Sequence, residues 1–187
     1  MLSMTSPTID FIAITKHWLE RAVIGLNLCP FAKAVYVKQQ VRFVLSDATT
    51  TEGLIEALVA ELEFLRAADP QTADTTLLIH PHVLTDFLDY NDFLDIAEAA
   101  ITELDLDGDI QIASFHPDYR FADSYEDAVE NCTNRSPFPM LHLLREASVE
   151  RAVDAYPEAD AIIDRNMATL RQLGMESWRR LMAMPET

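Results

Sequence analysis

Residues 114–146 concentrate the side chains of this 187-residue sequence that could do chemistry. The reactive and polar residues in that stretch are His116, Tyr119, Cys132, Asn134, Arg135, Ser136 and His142. The whole chain has only four glycines, so it is not a loop-rich sequence in which such clusters occur by composition alone. Packing does not require this mixture of side chains. We therefore interpret the stretch as a functional site.

Arg135 is the strongest candidate for recognising a ligand. It lies between Asn134 and Ser136, and two prolines follow within four residues and restrict the backbone. A guanidinium group held in a fixed orientation suits bidentate binding of a carboxylate or phosphate. We predict that Arg135 binds an anion and that Asn134 and Ser136 donate hydrogen bonds to it. The structural alternative is an ion pair with an acidic residue: Asp118, Asp123 or Glu146.

Two histidines follow predicted strands directly, and each precedes a proline: His80 and His116. Ligands of open α/β sheets bind outside the carboxyl ends of parallel strands. We predict His116 as a general acid or base, since an imidazole titrates near neutral pH. We place His80, Tyr119 and His142 among the substrate-binding residues. Each histidine has a structural alternative, namely a half-buried ring bonded to a loop carbonyl or, for His142, a residue of an amphipathic helix.

Cys29 is the second catalytic candidate, as nucleophile or as a group supporting one. The Cys29-Pro30-Phe31 sequence resembles the active-site turn of glutaredoxin-like and omega-type glutathione transferase folds, where a helix N-terminus lowers the pKa of the thiol. That fold needs a strand before the cysteine, whereas the preceding residues have helical spacing. A buried, unreactive thiol is the alternative.

A metal site is not predicted, and the cofactor is left unknown. The spacing of the histidines and cysteines fits no zinc signature. His80 and His82 on an extended strand would point to opposite faces, so one ion could bind both only if the strand bends there.

The elements that must position these residues predict an α/β fold. Alternating or β-branched apolar runs predict three strands: 40–46, 75–79 and 109–115. Helical spacing marks five further segments: 8–24 (capped by Thr8), 51–68, 86–104, 139–156 and 158–182. We expect Gly25 to end the first helix in a left-handed turn.

Helices between the strands are long enough to be crossovers, which favours a small, mostly parallel sheet of about three to four strands with flanking helices and a helical C-terminal part. We expect the loop 117–139 to fold over the edge of this sheet. We predict a single domain over residues 8–182, with loose tails at 1–7 and 183–187.

The charge composition of the chain restricts the classes of partner that we expect it to bind. The chain carries 14 Lys and Arg against 31 Asp and Glu, a formal charge of −17. Nucleic acid and anionic membranes both need a cationic face, so we expect neither as a partner. The sequence shows no signal peptide, no membrane-length apolar run and no disulfide framework, and we expect a cytoplasmic protein. A small-molecule ligand is the expected partner, and a homo-oligomer is left open.

Four segments carry a resemblance to a known family: 25–32 (GLNLCPFA), 88–94 (LDYNDFL), 114–122 (SFHPDYRFA) and 131–146 (NCTNRSPFPMLHLLRE). Together they resemble the bacterial family catalogued as domain of unknown function 1415, over roughly residues 8–182. The resemblance supplies no reaction. It implies an aromatic residue at the position of Cys132, which leaves Cys29 as the better cysteine candidate.

Three functions compete at this point. The first is an enzyme that acts on a small anionic molecule, with His116 as acid or base and Arg135 as anion clamp. The second is a small-molecule or metal-binding module without catalysis. The third is an interaction domain that uses its acidic surface.

Overall fold

A four-stranded sheet with helices on both faces forms the centre of the computed structural model, which describes residues 9–184. The strands are β1 (Val41–Leu45), β2 (Thr75–Ile79), β3 (Ile110–Phe115) and β4 (Met140–Arg145). The helices are α1 (Phe11–Trp18), α2 (Ala32–Val37), α3 (Thr51–Ala67), α4 (Phe87–Glu103), α5 (Glu146–Asp154), α6 (Ile162–Leu173) and α7 (Met175–Met182). This confirms the α/β class, the strand number, the flanking helices and the helical C-terminal part.

Of the predicted tails, residues 1–7 and 185–187 lie outside the described residues. The extent of the domain, 8–182, stays a prediction.

The direction of strand pairing corrects one expectation. The sheet order is β1-β2-β4-β3, in which β1 and β2 are parallel while β4 is antiparallel to both β2 and β3. The three predicted strands do run in one direction, but the mostly parallel sheet was wrong because a fourth, reversed strand lies between two of them.

That fourth strand was predicted as the start of a helix over 139–156, and this too was wrong. Residues 140–145 are buried or half-buried on both faces of the sheet, so their apolar side chains form a continuous run without strand-like alternation. Such a run is equally compatible with a buried helix. The helix begins only at Glu146.

Two apolar clusters occupy the two faces of the sheet. The first face packs on α3 and α4, with buried Leu78, Leu141 and Leu143 pointing to it. The second face packs on α1 and the C-terminal helices, with Leu77 and Met140 pointing to it. Both clusters contain β4 residues, so the reversed strand contributes to both halves of the core.

The helix starts follow capping rules. The Thr50 hydroxyl accepts a hydrogen bond from the Gly53 N–H at 3.2 Å, and Asp86 caps α4 through its carboxylate. α1 begins after Asp10, whose carboxylate accepts from the Ala13 N–H at 2.9 Å. The predicted cap Thr8 lies outside the described residues.

Gly25 has a different role from the one predicted. α1 continues into a π-helix, Leu19–Ile24, and Gly25 keeps right-handed dihedrals with φ of −62°. A Cβ atom at this position would lie 2.3 Å from the Arg21 carbonyl oxygen. Glycine is therefore needed for close backbone approach, and the left-handed residue of the turn is Asn27, with φ of 54°.

The predicted helix over 158–182 is two helices. Gly174 separates α6 from α7 with φ of 75°, a backbone conformation that favours glycine. α6 therefore ends at Leu173, and α7 begins at Met175. The short helix α2 lies between Cys29 and β1, where no element was predicted from the sequence.

Arg145 ties the end of β4 to the end of α3. Its Nη2 donates to the main-chain oxygens of Leu65, Ala68 and Ala73, which lie in the last turn of α3 and the segment after it. A charged donor here satisfies carbonyl groups that a helix end leaves without partners.

Arg145→Met is therefore expected to lower the free energy of unfolding by about 2–3 kcal/mol, because three partly buried carbonyls lose a charged donor. Urea unfolding measures this. Arg180→Met is the matched control, since 71% of the Arg180 side chain is exposed. Equal stability of the two variants would show that the Arg145 contacts contribute nothing.

Candidate functional site

The predicted histidines meet at one end of the sheet, around a buried tyrosine. The rings of His80 and His116 lie 5.9 Å and 5.1 Å from the Tyr90 ring, between ring centroids. All three residues are fully buried. The Tyr90 hydroxyl accepts from the Phe115 N–H at 3.0 Å and donates to the Met140 carbonyl at 2.8 Å. It thus bridges the last residue of β3 and the first residue of β4.

The backbone beyond the strands holds the histidines in this position. The His80 N–H donates to the Pro139 carbonyl at 3.0 Å, and the His116 N–H donates to the Asn134 carbonyl at 3.2 Å. The returning segment before β4 therefore continues the pairing on both sides past the ends of β2 and β3.

The His116 ring has a main-chain partner at each nitrogen. Its Nδ1 accepts from the Asp118 N–H at 3.0 Å, so the proton is on Nε2, which donates to the Leu84 carbonyl at 3.1 Å. Burial lowers the pKa of His116, and the Leu84 contact opposes this shift. The result is a neutral imidazole whose two nitrogens are already occupied.

The His80 ring is also neutral. Its Nδ1 donates to the Val83 carbonyl at 3.0 Å, and its Nε2 is buried without a hydrogen-bond partner among residues 9–184. Burial lowers the pKa of His80 to about 4. The His80 ring is therefore bonded to a loop carbonyl, as expected if this histidine has a structural role and does not bind a ligand.

Arg135 lies in the loop that returns over the sheet edge, and its orientation is fixed. Nε donates to the Tyr119 carbonyl at 3.1 Å, and Nη2 donates to the Glu126 carbonyl at 2.6 Å. The Arg135 carbonyl accepts from Trp18 Nε1 at 2.9 Å. The guanidinium is thus held by carbonyls instead of the carboxylates that the structural alternative required.

Arg135 lines a surface pocket of about 550 Å³ between this loop and α7. Its walls also contain Asp118, Tyr125, Glu126, Asp127, Met175 and Arg179. Two guanidinium groups therefore share one cavity with three carboxylates. The ion pairs within 4.0 Å in the described part of the chain involve other arginines, so these five charged groups surround the pocket without pairing.

The remaining predicted ligand-binding residues do not line this pocket. Asn134 Nδ2 donates to the Ser114 carbonyl at 3.1 Å, and Ser136 Oγ donates to the Phe138 carbonyl at 2.7 Å. The Tyr119 ring packs edge-on against the rings of Phe87 and Phe121. These side chains shape the loop.

His142 lies on β4, not on a helix as expected. The Thr75 hydroxyl donates to the Leu143 carbonyl at 2.6 Å, so it accepts from His142 Nε2–H at 2.7 Å. Burial lowers the pKa of His142 to about 4. On the sheet it pairs with Leu77 and Ala113, away from the Arg135 pocket.

Cys29 is separated from both histidines by the sheet. It packs in the cluster on the second face, whereas Tyr90 belongs to the cluster on the first face. Burial raises the pKa of Cys29, and hydrogen bonds from the main chain at Phe31 and Ala32 partly offset this. Cys132 packs in the same cluster, near Arg135, and burial raises its pKa to about 11.

Sequence reasoning missed the second arginine of the pocket. Arg179 belongs to the segment that was predicted as the end of one long helix. The sequence did not indicate which side of that helix would contact the loop that carries Arg135. The one available signal was Gly174, which separates α7 from α6. Tyr125 was also missed, although its side chain is 85% exposed at the rim.

Residues 9–184 contain neither a group of metal-binding side chains nor a membrane-spanning helix. Between residues 9 and 184, no three His, Cys, Asp or Glu side chains are grouped so that they could hold a metal ion. In the same range, every helix is too short or too polar to cross a bilayer.

Comparison with known proteins returns one family. A family model described as "Protein of unknown function (DUF1415)" matches residues 10–180, nearly the whole chain. Neither the curated proteins nor the solved structures give a significant match.

Acidification is expected to destabilise the fold through His80. In the unfolded chain the imidazole titrates near 6.5, and in the fold near 4, so between these values the unfolded chain binds more protons. The stability contributed by the neutral ring is therefore complete above pH 6.5 and is lost as pH falls toward 4. From pH 7 to pH 5 this amounts to about 2 kcal/mol in the free energy of unfolding.

The measurement is urea unfolding of the wild-type protein and His80→Asn at both pH values. The surface carboxylates contribute equally to both proteins, so the difference between the two pH dependences isolates His80. An unchanged pH dependence in the variant would contradict a buried neutral ring.

Proposed function

The chain belongs to the family described as a protein of unknown function (DUF1415), and on that premise we propose that it binds a small anionic molecule between Arg135 and Arg179. The observation that carries the proposal is the pair of guanidinium groups on one cavity of about 550 Å³. This volume is within the usual range of small-molecule sites.

Preorganisation supports Arg135 as the main anion ligand. Two carbonyls hold Nε and Nη2, while Nη1 makes no hydrogen bond to an oxygen atom among the described residues. Because the side chain is already ordered, binding costs little rotamer entropy. A fixed guanidinium also favours planar anions such as carboxylates.

The acidic residues of the pocket restrict the ligand class. Asp118, Glu126 and Asp127 outnumber the two arginines, so a compact dianion with no donor groups would be repelled by one side of the pocket. A carboxylate that also carries hydroxyl or ammonium groups would complement both signs. We therefore propose hydroxy acids and amino acids as the ligand class, with the exposed ring of Tyr125 as a surface for their carbon skeleton.

Arg179→Gln tests the proposal with little effect on the fold, because Arg179 is exposed and its side chain makes no hydrogen bond or ion pair within residues 9–184. Calorimetric titration uses a panel of carboxylates that includes malate, citrate and glutamate. We expect at least one to bind saturably to the wild-type protein and about tenfold more weakly to the variant, as for loss of a charged hydrogen bond.

Arg180→Gln is the matched control, since it removes the same charge from the next residue of α7 and does not line the pocket. Equal binding to Arg179→Gln and Arg180→Gln would refute the assignment of the pocket, as would the absence of any saturable ligand in the panel.

Acid–base catalysis by His116 on the bound anion is a second candidate. One observation favours it: Asp118, a wall of the pocket, bonds to His116 Nδ1 through its main-chain N–H. The step would require the ring to give up that bond or the bond to Leu84, because both nitrogens are occupied. Binding therefore ranks ahead of catalysis. Cys29 is not among the residues that line the pocket, so it receives no role there.

His116→Asn separates the two candidates once a ligand is known. If His116 is an acid or base, the variant should bind the ligand within about threefold of wild type and lose turnover by about 10²-fold or more. If the ring only positions Asp118, binding and any turnover should fall together.

A further inference from the structure

We propose a second anion site at the opposite end of the strands, which binds the dianionic group of phosphate or of a phosphate monoester. The site is a cavity of about 300 Å³ between the end of α3, the start of β3 and the start of α5. Its charged and hydroxyl-bearing walls are Arg66, Arg145, Arg151, Ser148 and Asp109.

Each of the three arginines is anchored through one nitrogen to a neutral acceptor. Arg66 Nη1 donates to the Leu104 carbonyl at 3.0 Å, and Arg151 Nη2 donates to Ser148 Oγ at 2.9 Å. Arg145 uses Nη2 for the carbonyls after α3. The anchors fix the guanidinium groups without neutralising them, so the three positive charges remain beside the cavity.

The Nε–H group of Arg145 is buried from solvent. Arg145 Nε is buried and has no hydrogen-bond partner among residues 9–184. The nearest carboxylate, Asp74, lies 4.0 Å away and accepts from the Ser148 hydroxyl at 2.6 Å. The Arg145 charge therefore has no close partner at this nitrogen, and an anion in the cavity that the residue lines would compensate the charge through space.

The local charge is the reverse of the charge of the whole chain. Three guanidinium groups face a single lining carboxylate, Asp109, in a protein with a formal charge of −17. Asp74, behind the wall, offsets part of the Arg145 charge. A cavity of this sign attracts oxyanions, and the surrounding acidic surface repels large polyanions.

The first turn of α5 adds favourable dipoles. Ala147 and Ser148 line the cavity, and α5 begins without a side-chain cap. The amino end of a helix favours negative charge. The small volume suits a phosphate group better than a whole nucleotide, which would need a larger cavity.

Calorimetric titration of inorganic phosphate and of glycerol phosphate into the full chain, in phosphate-free buffer of low ionic strength, tests the proposal. Saturable binding to the wild-type protein is expected. Arg66→Gln and Arg151→Gln, both exposed and outside the core, should each weaken it by about tenfold, as for loss of a charged hydrogen bond. Tighter binding of glycerol phosphate identifies a monoester as the natural ligand, and equal binding identifies free phosphate; both outcomes support the site.

Two controls keep this result independent of the Arg135 pocket. Arg180→Gln and Arg179→Gln should bind phosphate like the wild-type protein, and melting curves should show all four variants folded. The proposal is overturned if the wild-type protein takes up no phosphate saturably, if Arg66→Gln and Arg151→Gln bind unchanged, or if Arg179→Gln alone abolishes binding. The last result would place phosphate in the other pocket.

Discussion

The fold depends on one reversed strand. β4 lies between β2 and β3 and is antiparallel to both, so the chain must return to the carboxyl ends of those strands before it can enter the sheet. The return runs through residues 116–139 and is held there by main-chain bonds from His80 and His116. Because the loop cannot move away from the sheet edge, Arg135 is kept on the surface above it.

Two different environments lie at the carboxyl ends of β2 and β3. Tyr90, His80 and His116 form a dry cluster in which burial lowers the pKa of both imidazoles, and the Tyr90 hydroxyl joins β3 to β4. Arg135 and Arg179 face solvent with unpaired carboxylates beside them. The neutral cluster joins the strand ends, while the charged rim has the unpaired groups to which our proposal assigns ligand recognition. Under the proposed function the anion binds at this rim, outside the neutral cluster.

The sequence predicted the local elements well and the long-range pairing poorly. Thr50 and Asp86 are caps that act within three residues, and the strands before His80 and His116 were recognisable from short apolar runs. The position of β4 was not recognisable, because a run buried on both faces has no period that separates strand from helix. Arg179 was missed for another reason: the break at Gly174 makes α7 a separate helix, and its place beside the loop depends on long-range packing. Arg135 was predicted as an anion ligand from its proline-restricted neighbours, and this stays a prediction; its hydrogen-bond partners are carbonyls that no sequence pattern encodes.

The central claim is that Arg135, whose guanidinium is held by two carbonyls, forms an anion site together with Arg179. Arginine Nε–H resonances in ¹H–¹⁵N spectra report on it directly, because Arg135 Nε is hydrogen-bonded to the Tyr119 carbonyl. On titration with the carboxylate that binds, the Arg135 and Arg179 resonances should shift saturably with a common midpoint while the Arg180 resonance stays in place. If no arginine resonance shifts, or if all exposed arginines shift alike and without saturation, the anion only screens surface charge and the account is wrong.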